Sequence, residues 1–523
     1  MVLGNHHDAI LQFKKCILAN PKSDVAHYLL AKEYNATQQF NLSLPAAQQA
    51  VKINNKNIWY LLLVADDLTH TDKNFEAAKI LEHIADQFLS NESYYFNAAE
   101  SYIVSKKYNE ALHCLDKLEK VSGVNEEISF KKEDLFLKLS KKDQAIAELQ
   151  KLIFAFPTRT RYKVALAEVY FGFKEDAKAN ELLEQILFIN PTMPEAHFLL
   201  ANIYRRKGEH EKSFQELKIV FTNPDADLKE KLEILSSFIP LLEHRATVLT
   251  QALELGGLLV VAHPEDDASR MLYADLLYRA DRYLEAKQFY LKALNNNKAN
   301  FNLYQNLILC EDQLKQYTDA QKHAEEALEA FPSQAVFYYY KAHFAYLLKD
   351  YTTAMETAKN GSDIGSDKTQ LLIQLLTILG DAANELKYFK SSDDAFDKIL
   401  TFDPNNLEVL NNYSYYLSLR KERLDKAETM SKKTLDIDPN NASYLDTYGW
   451  VLYQQKKYTE AKLFIENALL KEPNNGVLNE HLGDVYYQLK EIEKAMEYWK
   501  KAVGNGNSSS SLSLKINSKK LID

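Results

Sequence analysis

Ten side chains in the C-terminal half of the sequence combine aromatic surface with polar or acidic tips at helical spacing. They are Tyr339, His343 and Tyr346 in one segment and Tyr415, Asp446, Trp450, Tyr453, Glu480, Asp484 and Tyr487 further on. Rigid rings supply contact area at low entropic cost, and carboxylates beside them select basic or hydrogen-bonding partners, so the set has the chemistry of a peptide groove. Met271, Asp275 and Tyr278 extend it toward the N-terminus. Trp450 and Tyr453 suit a groove and a core equally, whereas Tyr448 and Tyr486 fall at packing positions.

Catalytic chemistry is not indicated. The sequence holds no GxxxxGK[ST], HExxH, GxSxG or CxxC motif. His6 and His7 are adjacent and cannot share a helix face as i,i+4 metal ligands would. The pairs Asp66–Asp67 and Asp393–Asp394 are expected on a charged surface, solvated or capping helices. Cys16, Cys114 and Cys310 are odd in number and far apart, which argues against a disulfide framework or a zinc site and reads as three small buried apolar residues. No enzyme activity, cofactor or metal is expected.

What must position these residues follows from arithmetic on small side chains. Ala9, Ser43, Ala77, Ala111, Ala145, Ala179 and Ser213 are each 34 apart, as are Ala286, Ala320 and Ala354, and again Ala427, Ala461 and Ala495. Other offsets from this anchor agree. Twelve before it stand small residues such as Ala31, Ala65, Ala99, Gly449 and Gly483, and nine before it large ones such as Tyr34, Tyr102, Tyr204 and Tyr486. Twelve after it, Pro21, Pro157, Pro191, Pro332, Pro439 and Pro473 end a helix, because proline lacks the amide donor and clashes with the preceding turn. Each unit is helix, short turn, helix, stop. The pattern frays at Glu133, Ile308 and Ser392, where neighbouring units keep the register.

This code resembles the tetratricopeptide repeat, most clearly in YLDTYGWVLYQQKKYTEAKLFIENALLKEP from Tyr444 to Pro473. The resemblance implies an all-α, superhelical solenoid of antiparallel helix pairs, in which the first helix of each unit lines a concave face. Residues eighteen, fifteen, eleven and eight before the anchor then point inward, free of the packing code, and the candidate residues occupy such positions, Tyr415 after one inserted residue is allowed for. The dicarboxylate-clamp type of that family is not expected, since Asn202 and Arg205 form only a fragment of its basic set and Phe198 stands where lysine would be needed.

The expected organisation is an N-terminal array over 1–224 that begins mid-repeat, an irregular helical pair over 225–264, a C-terminal array over 265–507, and a linker with a capping helix over 508–523. Gly4 falls at a turn position, so a first helix is expected upstream of Met1. GNGNSSSS from Gly504 to Ser511 reads as a connector, and Leu512 and Ile516 lie on one face of a short cap whose Lys515, Lys519 and Lys520 are expected to be solvated. The layout also resembles tetratricopeptide proteins of Bacteroidetes-type bacteria, which implies a cell-envelope location; no targeting segment is read in the residues themselves.

Composition sets the remaining bounds. With 14 Gly and 12 Pro in 523 residues the chain suits helix, and at this length a repeat array is favoured over one compact core. The net charge of −10, without a basic stripe, argues against nucleic acid, and no stretch approaches the roughly 18 apolar residues of a membrane span. The expected partner is a protein or peptide, held by a non-enzymatic scaffold or adaptor. The alternative is an accessory subunit that organises an enzyme or secretion assembly through its convex face or ends.

Overall fold

The computed structural model describes residues 6–87, 92–244, 246–364, 369–507 and 510–522. Among the described residues the chain forms thirty α-helices and one short 3-10 helix, with no strand. Most helices pack chiefly on their predecessor and successor, which is the antiparallel-pair solenoid anticipated from the sequence. Two compact units are distinguished, Met1–Lys231 and Leu232–Asp523, and the division falls inside the helix Leu228–Phe238.

One unit shows why these residues fold as they do. Asn441 caps the helix Ala442–Gln454 by accepting from the amides of Ser443 and Tyr444, and the second helix, Tyr458–Lys471, stops just before Pro473. Between the helices, Lys457 N–H reaches back to Leu452 C=O at 2.9 Å across Lys456, which sits at φ 67°. This is a Schellman closure, which consumes carbonyls the first helix would otherwise leave orphaned. The same closure recurs in both units, from Gln39 to Tyr34, Lys107 to Tyr102, Arg282 to Leu277 and Glu491 to Tyr486. The left-handed residue is usually lysine (Lys106, Lys174, Lys315, Lys349, Lys387, Lys456, Lys490), although glycine would adopt that φ at less cost.

The small-residue code is a close-approach code. A Cβ on Gly449 would lie 2.7 Å from Ile465 Cγ1 and 3.2 Å from the carbonyl of Ala461. The serine anchors use the same proximity: Ser43 and Ser213 each donate at 2.8 Å to the carbonyl twelve residues earlier, of Ala31 and Ala201. The anchors from Ser43 onward are buried, but Ala9 is only half-buried. Its helix, His6–Ala19, has no buried residue, because only the helix Asp24–Ala36 covers it.

That geometry corrects one expectation about cysteine: Cys16, on the outer side of the same helix, is exposed, while Cys114 and Cys310 are buried. Gly4 lies outside the described residues, as do residues 508–509 of the expected connector, and Gly504 closes the helix Ile492–Gly504. The irregular stretch consists of Leu228–Phe238, the 3-10 turn Ile239–His244 and the helix Ala246–Ala262. The cap is the helix Ser510–Ser518, with Leu512 fully buried.

Candidate functional site

First helices of consecutive units lie side by side in the second compact unit, so a residue on one meets the residue about 35 positions later. Tyr416 donates to Asp381 at 2.9 Å, His481 Nδ1 lies 2.9 and 3.0 Å from the two oxygens of Asp446, and Gln488 reaches Tyr453 at 3.5 Å. This register brings the candidate residues together in two groups.

The C-terminal group is Tyr415, Asp446, Trp450, Tyr453, Glu480, Asp484 and Tyr487. Trp450 stacks on Tyr453, centroids 4.5 Å apart, and on His481 at 3.9 Å; Tyr415 approaches His481 at 6.5 Å, and Tyr487 stacks on Trp499 at 5.8 Å. Asp446, Trp450, Tyr453 and Asp484 are buried, which corrects the expectation that Asp446 and Asp484 stand free of packing and puts Trp450 and Tyr453, which suited groove and core equally, in the core. The physical reason is that the next helix covers them. His481 comes down on Asp446 and Trp450, and the cap helix brings Lys515 against Asp484 at 2.7 Å and Glu480 at 2.8 Å, with Trp499 Nε1 donating to Asp484 at 2.8 Å. Lys515 is therefore buried and paired, not solvated as expected. Burial depresses the His481 pKa, yet Asp446, backed by Asp484 and Glu480, outweighs it and holds the ring above its ordinary value. Burial likewise raises the Tyr415 hydroxyl to about 12, with Asp446 and Glu480 adding to it. The Trp450 indole N–H is sealed in without an acceptor among the described residues.

The central group differs. Tyr339, His343 and Tyr346 lie on one face of the helix Ala335–Leu347 and are each half-buried. Tyr339 and His343 stack at 5.6 Å, and Tyr346 meets Tyr351 edge-on at 5.4 Å. None of the three polar tips has a hydrogen bond among the described residues, and none is sealed from solvent. Burial lowers the His343 pKa against a weaker pull from Asp312, so its ring is neutral at pH 7. Alongside, burial pushes the Asp381 carboxyl up to about 7; Glu408 and Glu385 add to the rise and the Tyr416 hydroxyl opposes it. Met271, Asp275 and Tyr278 stand on an earlier first helix, Asp267–Arg279, each half-buried.

Among the described residues no group of three or more His, Cys, Asp or Glu could hold a metal ion, and no helix is long and apolar enough to cross a membrane. The arrangement is one of recessed rings, neutral polar tips and carboxylates on adjoining helices, which suits hydrogen bonding to an extended guest.

Family models described as tetratricopeptide repeat match residues 312–360 and 478–504, segments that span the left-handed turns at Lys349 and Lys490. Those segments of the chain are tetratricopeptide repeats. No curated protein sequence matches it. Among solved structures this chain is similar to the APC/C hetero-tetramer Cut9–Hcn1, at 12% identity over 95% of this chain and 96% of that one, TM-score 0.39. It is also similar to a tetratricopeptide repeat protein from Parabacteroides merdae, at 15% identity over 48% and 98%, TM-score 0.41. A third is YrrB, a tetratricopeptide protein with an unusual peptide-binding site, at 19% identity over 35% and 92%, TM-score 0.31.

Several charged residues of the chain escape the repeat code. Asp67 is fully buried, held by Asn35 at 2.9 Å and Ser43 at 2.5 Å; Asp393 is buried and pairs with Arg420 at 2.6 Å and with Arg423. Both correct the expectation of solvated surface pairs, and in each case the partner comes from the adjoining unit. Glu311 is fully buried between Lys287 at 2.9 Å and His323 at 2.9 Å. The charged pairs are 27 residues apart for Asp393–Arg420, 30 for Asp393–Arg423, 24 for Lys287–Glu311 and 12 for Glu311–His323, so no single spacing in the sequence finds them.

Proposed function

We propose that this chain is a non-enzymatic scaffold that holds a protein or peptide segment along the concave face lined by the first helices of its second compact unit. Its fold is that of a protein-interaction scaffold. The observation that carries the finer reading is the row Tyr339, His343 and Tyr346, whose polar tips are unbonded yet open while their rings are braced by neighbours. Such groups are pre-organised and lose little entropy on receiving a guest. Tyr415 and Tyr487 extend the row beside Glu480, which is already paired with Lys515; Asp446, Trp450, Tyr453 and Asp484 form its floor.

The test is to pan a random dodecapeptide phage library on the full chain and on the Y339A/Y346A variant. Retained clones that bind the variant at least about tenfold more weakly, at unchanged helicity, support the reading. Equal retention by both proteins overturns it.

A second reading, an accessory subunit that docks through its outer side, is favoured by Phe154 and Phe188, which are 89% and 90% exposed at the ends of second helices in the first compact unit. Singly exposed apolar residues are ordinary, but two such rings at the same repeat position are not scattered. Crosslinking from position 154 or 188 to an assembly that ignores Y339A/Y346A would support this reading instead.

A further inference from the structure

Within the second compact unit, a cavity of about 370 Å³ is lined by Ile239, Asp275, Tyr278, Arg279, Tyr290, Asn306 and Leu309. Its size is at the small end of the roughly 300–1,000 Å³ of ligand sites, enough for one long side chain and not for a folded element. Its chemistry is set by Asp275. One oxygen, Oδ1, accepts from the Tyr290 hydroxyl and from Asn306 Nδ2 at 3.1 Å. The other, Oδ2, has no hydrogen bond among the described residues and is not sealed from solvent, so it opens into the cavity. Asn306 commits its amide donor to Asp275, which leaves its Oδ1 as a second open acceptor.

The floor of the cavity thus presents acceptors, and one of them is an ion. Burial holds the Asp275 carboxyl above its ordinary value, as expected for a carboxylate with no cation in contact. Arg279, one helical turn on, is exposed and makes no ion pair among the described residues; its charge acts on Asp275 only through space. An anionic guest would meet the carboxylate, and a neutral amide would leave its charge uncompensated. A multi-donor cation satisfies both acceptors, while Ile239, Leu309 and the Tyr278 ring provide walls for an aliphatic stem.

We propose that this cavity receives the cationic side chain, lysine or arginine, of a peptide lying on the first-helix face. The peptide part rests on the reading above; the cation part rests on Asp275 alone. The negative charge of Asp312 acts through space on Tyr278, Tyr339 and His343, which is consistent with a cationic guest.

The test uses the full chain and four small probes, Nα-acetyl-lysine methylamide and Nα-acetyl-arginine methylamide with their neutral counterparts from norleucine and citrulline, read by saturation-transfer NMR. The cationic probes are expected to bind, their order separating ammonium from guanidinium. D275N, which keeps the shape, is expected to weaken them at least about tenfold. L309W, which fills the cavity without touching the Asp275 bonds, should abolish them even if D275N proves unstable, and R279Q, which removes the competing positive charge from the cavity wall, should tighten them. Citrulline binding as well as arginine, or indifference to both D275N and L309W, overturns the proposal. Library peptides that require Tyr339 and Tyr346 but show no enrichment of lysine or arginine overturn the cavity assignment and leave the groove standing. Cationic probes that bind while no library peptide is retained overturn the groove and leave the cation site standing.

Discussion

His481 lies face to face with Trp450, ring centroids 3.9 Å apart at 17°, while its Nδ1 is 2.9 Å from Asp446 on the neighbouring first helix. A protonated ring in that position is attracted by the indole face and the carboxylate together. Its pKa is raised in the fold, so the stabilisation is complete below the ordinary value of 6.5 and is lost as pH rises through the higher folded value. The melting temperature is expected to fall as pH rises above 6.5, and H481Q should flatten that slope. His197, raised by Glu216 at 2.6 Å against burial, contributes in the same direction from the first compact unit, so a residual slope should survive in H481Q and shrink further in H481Q/H197Q.

Lys515 answers two carboxylates, Glu480 and Asp484, from the cap helix. K515M would leave both negative charges recessed without a cation, a change that costs about 3–5 kcal/mol when a buried pair is broken from one side. Urea unfolding should show that loss, and the triple variant K515M/E480Q/D484N should recover most of it. If K515M melts like the parent, the pairs contribute nothing.

Helix pairing, register and turn placement were all legible in the sequence, because a period of 34 constrains every offset at once. The anchor-to-small contact at Gly449 and Ala461 is read directly from composition, and the helix ends follow from Pro473 and its equivalents. The fate of the charged residues was not legible. Asp446 and Glu480 stand at the same inward offset, and whether either is free depends on what arrives 35 residues later, His481 in one case and Lys515 in the other. The code describes a unit, whereas burial of an inward residue is a property of two. Tyr339 and Tyr346 remained open for the same reason, since no neighbouring side chain bonds their hydroxyls.

Asp381 carries the opposite lesson about charge. Its carboxyl is raised from 3.8 to about 7 in the fold, so the folded state holds its proton longer than the unfolded chain does, and stability declines as pH rises across that interval. D381N should remove the Asp381 share of the decline and melt higher than the parent at pH 8. Thermal scans at half-unit steps from pH 4 to 8 would show it, and identical slopes in the two proteins would contradict the assignment.

A methyl group at Gly483 would strike Trp499, whose Nε1 lies 2.7 Å from the ideal Cβ position, and would sit 3.2 Å from the carbonyl of Ala495. G483A is expected to cost about 1–3 kcal/mol through overpacking. Gly504, at the end of the next helix, has nothing within 4 Å of its Cβ position, so G504A should be neutral or stabilising by up to about 1 kcal/mol. Equal effects of the two substitutions in chemical denaturation would refute the close-approach account of the small positions.

Lys349 occupies the left-handed turn at φ 64°. That conformation costs a non-glycine residue roughly 1–2 kcal/mol, partly offset by the extra unfolded-state freedom of glycine. K349G should therefore raise stability by up to about 1 kcal/mol, measurable as a shift of the urea midpoint at constant slope.

The pairing of Lys515 with Glu480 and Asp484 has a consequence for how copies of the chain meet one another. Helical-repeat ends are adhesive, because an uncovered last helix presents the same apolar surface that its neighbours use for stacking. Here the surface under the cap also carries two carboxylates. Should the cap lift, two such faces approaching head-on would bring four negative charges together in a drying interface, and Coulomb repulsion would oppose their joining. The charge that fastens the cap in the closed form thus works against polymerisation in the open one.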